Sequence, residues 1–408
     1  MNLFEGEIFN EKATASNEIP KCDSDVNQKY LSGEVRIVTE QARYPLISIS
    51  NLFKDSINYN VHPDFQRRRR WSNEKKSKLI ESFIINVPVP PVFLYEIDYA
   101  KFEVMDGLQR ITTIIDFYDD KFELKDLDEW PELNGRKYSQ LPEKIKEGID
   151  RRYLSSIILL KESAKSDGQA DTMKKLVFER LNSGGVQLSS QEARNALYDG
   201  KLNRLCLKLS NNAEFKQLWG IAQANLQMSF FDCTVDISDD EEIIDSKKIK
   251  DLYDSMGDVE LILRFFAFRH LDNFKGNILE NFLDQFLQVG NSYSDSILGE
   301  YKKLFESTIS LASELFGDKA FKQYNDNLKW STISSKTSYD PLMQVLSKYY
   351  KKQYKLEFNK GARVQKLQDL FVANREALNG KRQNKSDIIK RIAVYEKLVD
   401  SLVACEGK

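Results

Sequence analysis

The sequence of 408 residues contains only two histidines, His62 and His270, and four cysteines. The cysteines are scattered with no Cys-x-x-Cys pair, which argues against a zinc site and a disulfide framework. No apolar run approaches the roughly 20 residues that span a bilayer. The first residues also lack the basic and then apolar order of a signal peptide. These absences predict a cytoplasmic protein with no membrane segment.

Net charge is also nearly absent, at −2, which excludes a uniformly basic surface for nucleic acid. The charge is nevertheless uneven, because residues 351–408 carry 14 Lys and Arg against 7 Asp and Glu. A second basic run is formed by the four arginines at 67–70, and residues 232–251 are acidic. The basic tail therefore makes DNA a candidate partner.

Hydrophobic residues make up 41% of the chain, with 24 Phe and 18 Tyr, which is enough to fill two or three cores. We predict a flexible segment at 1–32, an α+β domain at 33–200 and an all-α domain at 201–408. The predicted strands, in which 92–97 and 102–105 form a hairpin, are 35–38, 92–97, 102–105, 121–124 and 153–160. Helical spacing predicts helices at 47–58, 72–85, 111–118, 173–181, 252–270, 276–288, 292–316, 339–350, 361–378 and 383–403. Ser189 and Glu192 have the spacing of a capping box, and 229–250 has the composition of a loop.

One predicted strand leads through Asp106 and Gly107 directly into a helix. The first turn of a helix has unpaired N–H groups and a partial positive charge, which suit a phosphate. Glycine lets the backbone approach a ligand closely, and Arg110 adds a fork of donors for phosphate oxygens. Gln109 could position water or a base, and Thr112 adds a hydroxyl. The alternative interpretation is an ordinary turn in which Asp106 caps the helix.

Two further segments carry arginine beside groups that suit anions. The first runs from Gln66 and Arg67 through the arginine run to Trp71, a combination that suits phosphates and stacked bases. The second is Phe-Glu-Arg-Leu-Asn-Ser-Gly-Gly at 178–185, where the glycines either end a helix or offer N–H groups to a phosphate. Arg180 and Asn182 are less needed for capping, so they are the better functional candidates there.

Together these segments, in this order and spacing, resemble the DGQQR-motif domain found at the N-terminus of GmrSD-type modification-dependent restriction enzymes. That family is similar to the ParB/sulfiredoxin-like fold. The matching segments are Phe65-Gln66-Arg67 with Trp71, residues 78–82 leading to 88–91, Met105-Asp106-Gly107-Leu108-Gln109-Arg110-Ile111-Thr112-Thr113, and 178–185 with Leu188-Ser189. The resemblance covers about 33–200 and implies an α+β ParB-like domain followed by helices, here residues 201–408.

The resemblance implies binding and hydrolysis of a nucleoside triphosphate with Mg²⁺, in defence against phage or foreign DNA. Carried over to this chain, the catalytic candidates are Asp106, Gln109 and Arg110, with Asp106 also the metal candidate. The nucleotide-binding candidates are Gln66, Arg67, Gly107, Arg110, Thr112, Arg180 and Asn182. Leu108 departs from the family, which often has Gln at this position.

The scarcity of histidine bears on nuclease chemistry. Two-domain relatives end in a nuclease module in which a histidine activates water beside a metal, and His270 has no neighbouring histidine or metal cluster in the sequence. We therefore expect no HNH nuclease within 201–408. Sulfiredoxin chemistry needs a cysteine at the phosphate-binding turn, and 106–110 contains none. One nuclease-like order remains, Asp106 followed by Glu123-Leu124-Lys125, although such triplets are frequent in charged chains.

Three hypotheses follow. The first is a nucleotide-binding and hydrolysing domain protein of a defence system. The second is a non-catalytic sensor or scaffold that binds DNA, with the basic tail contacting the DNA backbone. The third is an assembly module whose helical half contacts a partner that holds the nuclease.

Overall fold

A computed structural model describes residues 3–10, 22–32, 37–54, 58–60, 71–161, 167–182, 188–221, 241–275, 278–378 and 384–405. The chain divides into two compact units. One is an α/β unit, Ser16–Leu197, and the other is a helical unit made of Met1–Ala15 and Tyr198–Lys408. The helical unit is therefore discontinuous in sequence. None of the described helices is long and apolar enough to cross a membrane.

The α/β unit contains five strands and seven α-helices among its described residues. The strands are β1 (Thr39–Pro45), β2 (Tyr59–Asn60), β3 (Val92–Asp98), β4 (Lys101–Asp106) and β5 (Tyr153–Leu159). The helices are α1 (Asp23–Ser32), α2 (Leu46–Lys54), α3 (Asn73–Ile85), α4 (Leu108–Tyr118), α5 (Glu143–Asp150), α6 (Asp167–Asn182) and α7 (Ser190–Leu197). Short 3₁₀ turns at Pro131–Leu133 and Tyr138–Gln140 lie between α4 and α5.

The five strands form one mixed sheet in the order β1-β5-β3-β4-β2. β3 pairs in parallel with β5 and antiparallel with β4, so the predicted hairpin is confirmed. β1 pairs antiparallel with β5 along its whole length, from Thr39 opposite Leu159 to Pro45 opposite Tyr153. This arrangement places β3 and β4, which lead to the candidate site, at the interior of the sheet.

The main core of this unit lies between the sheet and helices α2 to α5. The sequence dictates it through helical spacing in α4, where Ile111, Ile114 and Phe117 recur every three residues and are fully buried. Val104 of β4 and Leu94 of β3 face the same core. Helix α4 is thus fixed against the sheet along its apolar face.

The opposite face of β4 carries a buried ion pair. Side chains alternate across a strand, so Glu103 points away from the face that presents Val104 to the core. The Lys174 ammonium of α6 donates to the Glu103 carboxylate, and both side chains are about nine-tenths buried. Lys174 also lies 5.5 Å from the centroid of the Tyr95 ring. The pair anchors α6 on β4.

The helical unit is built mostly from α-helices and contains two small two-stranded sheets. Its described helices are α8 (Lys201–Leu209), α9 (Ala213–Leu218), α10 (Glu241–Asp254), α11 (Gly257–Ala267), α12 (Leu279–Gly290), α13 (Asp295–Phe316), α14 (Lys336–Leu346), α15 (Lys360–Ala373), α16 (Arg375–Leu378) and α17 (Lys385–Asp400). The sheets pair β6 (Lys322–Tyr324) with β7 (Trp330–Ser334), and β8 (Tyr354–Leu356) with β9 (Val403–Cys405). At its centre Arg264 of α11 makes a two-donor ion pair with Asp340 of α14, with both side chains 3% exposed.

Residues 3–10 belong to the helical unit and carry a buried carboxylate into it. Glu7 accepts from Arg269 Nε and Nη2 at 2.8 Å each, and from the Tyr301 hydroxyl at 2.8 Å. His270 Nε2 lies 3.1 Å from the same carboxylate, and Phe9 packs edge-on against the His270 ring. The expectation of a flexible segment over 1–32 does not hold for these residues, because Glu7 and Phe9 are buried.

Several other sequence expectations differ from the structure. Residues 121–124 form no strand, because the chain turns there: the Lys121 N–H donates to Asp116 of α4, and Leu124 shares backbone bonds with the loop before α5. A strand was expected at 35–38, but residues 37–38 are not in a strand and 33–36 lie outside the described residues. The first strand is instead β1, whose polar and partly exposed residues show no alternation of apolar and polar side chains. Residues 241–250 belong to α10 rather than to a loop. The second half is not purely helical, since it has the two small sheets.

The first prediction concerns Glu7. Replacing Glu7 with Ala leaves Arg269 buried without its partner, and breaking a buried pair in this way costs roughly 3–5 kcal/mol. We expect faster hydrogen exchange in α11 of the Glu7→Ala protein. The matched control is Glu5→Ala, an exposed carboxylate in the same segment. Equal exchange in the two variants would mean that the Glu7 contacts contribute no stability.

The same carboxylate predicts a dependence on pH. Burial raises the pKa of Glu7, but the bonds from Arg269 and His270 outweigh it and lower the pKa to about 2 from an ordinary 4.5. A lowered folded-state pKa gives stability that is complete above about pH 4.5 and is lost as the pH falls toward about 2. The difference in unfolding midpoint between wild type and Glu7→Gln should therefore shrink over that interval. A difference that stays constant with pH would contradict this assignment.

Candidate functional site

The candidate site begins at an irregularity at the end of β4. Leu94 pairs with Val104 and Phe93 pairs with Asp106, so β4 has one extra residue at this point. Such a bulge bends a strand and re-aims the side chains that follow it. Asp106 is consequently the last strand residue and lies immediately before the start of α4.

Gly107 makes the sharp turn from β4 into α4. Its φ of 94° lies in the left-handed region that favours glycine. A Cβ at this position would lie 2.4 Å from Cγ1 of Val92 and 3.0 Å from Nη2 of Arg110. The turn therefore requires glycine for both conformation and space, and it presses the start of α4 against β3.

The first turn of α4 has no side-chain cap. The N–H groups of Arg110 and Ile111 donate to the Gly107 carbonyl, whereas those of Leu108 and Gln109 make no hydrogen bond with the described residues. The alternative in which Asp106 caps this helix is wrong, because Gly107 occupies the cap position. The two open N–H groups match the requirement for an anion site at a helix start.

Arg110 and Asp106 form the charged pair of the site. Arg110 Nη2 donates to Asp106 Oδ2 at 2.8 Å, one helical turn apart along the chain. The Arg110 side chain is 14% exposed and that of Asp106 is 35% exposed. Arg110 Nε is buried and has no hydrogen-bond partner among the described residues. The guanidinium therefore retains an unsatisfied donor in the same helical turn as the open N–H groups.

Gln109 links this turn to the start of α3. Its Oε1 accepts from the backbone N–H of Trp71 at 3.3 Å, and the Lys75 ammonium lies 5.0 Å from the centroid of the Trp71 ring. Sequence reasoning missed Lys75 and Val92 as parts of the site. Neither belongs to a motif; only the helical spacing from Trp71 and the pairing of β3 with β4 bring them here.

The other predicted residues contribute less to this geometry. Thr112 donates its hydroxyl to the carbonyl of Leu108 at 2.9 Å, so that proton bonds to the helix itself. Arg180 is exposed on the last turn of α6, and Asn182 is the final residue of that helix, with its side chain outside the described residues. The predicted residues Gln66 and Arg67 also lie outside the described residues. The described site therefore centres on Asp106, Gly107, Gln109 and Arg110.

The order Asp106 and Glu123-Leu124-Lys125 does not produce a nuclease centre in the structure. About 16 Å of helix separates the two ends of α4. Lys125 binds Glu74 at 2.9 Å, and Lys121 binds Asp116 and Asp119 near the carboxyl end of α4. Within the described ranges, no group of three His, Cys, Asp or Glu residues could hold a metal ion. Asp106 belongs to no such group among the described residues, so it suits Mg²⁺ only when phosphates complete the coordination.

His270 does not face solvent. It is 2% exposed, its Nε2 contacts Glu7, and its ring packs against Phe9 and Phe286. A histidine that activates water must reach a metal-bound water, whereas the contacts of the His270 ring are with protein side chains. The expectation of no HNH nuclease within 201–408 stays a prediction.

Part of the basic tail serves the fold of the helical unit. Arg363 and Arg391 are buried and donate to backbone carbonyls of Glu314 and Ala377. Lys351 binds Glu300, and other tail cations bind carboxylates or carbonyls of the same unit. Because these cations bind groups of the helical unit, the net positive charge of 351–408 supports a DNA-binding surface less strongly than it did from the sequence alone.

The structure shows an α/β unit in which a strand turns through Gly107 into a helix whose first turn has no side-chain cap. Residues 49–198 match the family model of the GmrSD restriction endonuclease, N-terminal domain. This match covers residues 49–198, and the sheet extends beyond the matched residues, since β1 precedes them. No curated protein and no solved structure matches the chain. The ParB/sulfiredoxin-like likeness of this sheet stays a prediction.

The second prediction tests the close approach at the turn. Gly107→Ala adds a methyl group at a positive φ, which costs roughly 1–2 kcal/mol, and against Val92, where overpacking costs a further 1–3 kcal/mol. Gly135→Ala is the matched control, because Gly135 has a φ of 79° with no atom within 4 Å of the added Cβ. Thermal unfolding should show a larger loss of stability for Gly107→Ala than for Gly135→Ala. Equal losses of stability would show that Val92 moves to accommodate the methyl group at no cost in free energy.

Proposed function

We propose that the protein binds a nucleoside triphosphate with its phosphates at the start of α4, as part of a modification-dependent restriction system. The observation that carries the proposal is the buried Nε of Arg110, which has no partner among the described residues and belongs to the same helical turn as the open N–H groups of Leu108 and Gln109. Buried donors without partners are costly. A phosphate has enough oxygens to accept from all three.

Each side chain of the turn has a distinct role in this proposal. Arg110 supplies the planar fork that binds phosphate oxygens in pairs. Gly107 permits the sharp turn that places the first N–H groups of α4 at the end of β4. Gln109, with its Oε1 bound to Trp71, keeps its amide Nε2 for a ligand oxygen or for the attacking water. Asp106 is the residue that would contact Mg²⁺, which supplies charge neutralisation at the phosphates when bound.

Hydrolysis of the nucleotide is the second part of the proposal. Among the described residues, Asp106 and Gln109 are the two polar groups of the turn that can orient a water molecule near a bound phosphate. The restriction context follows from the family of the domain. Since His270 is buried against Glu7 and Phe9, we propose that a partner protein supplies the nuclease.

A DNA phosphate offers the same kind of oxygen as a nucleotide, so the sensor hypothesis is tested at the same residues. DNA affinity that falls steeply with salt, in a protein that neither binds nor turns over free nucleotide, would favour it. The internal use of Arg363, Arg391 and Lys351 makes it the less supported function.

The third prediction is that Arg110→Ala weakens nucleotide binding. Loss of charged hydrogen bonds worth 1.5–3 kcal/mol corresponds to roughly a 10- to 150-fold rise in Kd. Thermal shift with ATP, GTP, CTP and UTP in the presence of Mg²⁺ identifies the ligand, because a ligand that prefers the native state raises its stability. Phosphate release then measures turnover.

Arg136→Ala is the control, since Arg136 is an exposed arginine of the same unit, located in the loop between α4 and α5. It should bind nucleotide as wild type does. Equal affinity of Arg110→Ala and wild type would overturn the site, and no stabilisation by any of the four nucleotides would overturn the proposed function.

A further inference from the structure

We infer that the Arg110–Asp106 ion pair is an exchange lock: an incoming phosphate must take Arg110 away from Asp106, and release of Asp106 then favours Mg²⁺ binding. This inference rests on the proposed nucleotide function and concerns how that site is regulated. The juxtaposition that carries it is a single-donor ion pair at the mouth of an open helix start.

The geometry of the pair differs from that of a purely structural pair in the same chain. Arg264 contacts both oxygens of Asp340 through two nitrogens, and both side chains are 3% exposed. Arg110 contacts Asp106 through Nη2 alone, and Asp106 is 35% exposed. Partly exposed single contacts contribute little stability, so Arg110 can leave Asp106 at small cost.

The position of the Arg110 guanidinium near Gly107 also favours the exchange. Gly107 has no side chain, and a Cβ there would lie 3.0 Å from Arg110 Nη2. Arg110 Nη2 therefore lies close to the backbone of Gly107, at the turn whose next two N–H groups, those of Leu108 and Gln109, are open. A phosphate on those groups would meet Arg110 without rearrangement of the helix.

Charge couples the two ligands. In the ligand-free protein, Arg110 neutralises Asp106. When a phosphate takes Arg110, Asp106 becomes an unpaired carboxylate beside a polyanion, which is unfavourable unless a cation arrives. Nucleotide and Mg²⁺ must then strengthen each other's binding by the same factor, as coupling between two sites requires. The lock makes the site discriminate against free nucleotide.

The fourth prediction follows from removing the lock. Asp106→Asn keeps the size of the side chain and removes its charge, so Arg110 is available from the start. Without Mg²⁺, in EDTA, we expect this variant to bind the probes mant-ATP or mant-GTP about tenfold more tightly than wild type, within the usual range of coupling between sites. Mg²⁺ should improve binding by wild type more than by Asp106→Asn.

Simple repulsion between Asp106 and phosphate would also favour the variant, so the test is a double-mutant cycle with Arg110→Ala. Repulsion alone gives the same gain from Asp106→Asn whether residue 110 is Arg or Ala. Exchange gives a larger gain with Arg110, because only then is a pair broken on binding. The excess in the Arg110 background, in EDTA, measures the lock.

Asp98→Asn is the control, since it removes an exposed carboxylate from the turn between β3 and β4. It should match wild type in EDTA and in Mg²⁺. Asp106→Ser is the second neutral variant, used if Asp106→Asn shows an altered circular dichroism spectrum. Equal gains in the two backgrounds would overturn the lock and leave the nucleotide site standing. Absence of probe binding by wild type in Mg²⁺ would instead overturn the proposed function.

Discussion

The close approach of Gly107 to Val92 determines where α4 begins, and the rest of the site depends on that position. Only a residue without a side chain fits, because a Cβ would lie 2.4 Å from the valine. The bulge at the end of β4 delivers Asp106 to this turn, and the apolar face of α4 holds the helix against the sheet. The N–H groups at the helix start are therefore presented by a rigid element, which is the condition for binding an anion without ordering a loop first.

The ion pairs of this chain differ in how far they are withdrawn from water, and this separates structural pairs from functional ones. Arg264 with Asp340 and Arg269 with Glu7 are almost fully buried, and each arginine binds its carboxylate through two nitrogens. Their partners cannot be exchanged without unfolding. Arg110 with Asp106 is shallower and leaves one donor unsatisfied. Under the proposed function, such a pair can exchange partners with a ligand more readily than the buried pairs can.

The sequence was sufficient for features that depend on local patterns. Helical spacing predicted α3, α4 and α13 within a few residues, and the capping box was confirmed by reciprocal bonds between Ser189 and Glu192. The sequence was insufficient where pairing between distant segments determines whether a strand forms. β1 has a polar sequence and becomes a strand because β5 is available to pair with it. Asp106 and Arg110 were identified as site residues, but their ion pair was not. The spacing of residues along the chain does not predict the direction of a side chain that follows a bulge.

The burial of Glu7 also has a consequence for the order in which the protein folds during synthesis. Its partners Arg269, His270 and Tyr301 are translated more than 260 residues later. Domains generally fold as units while the chain is made, so the α/β unit can complete its sheet while residues 3–10 still lack their partners. Residues 3–10 thus leave the ribosome before the α/β unit but reach their final contacts after it, and until then the Glu7 carboxylate stays in water.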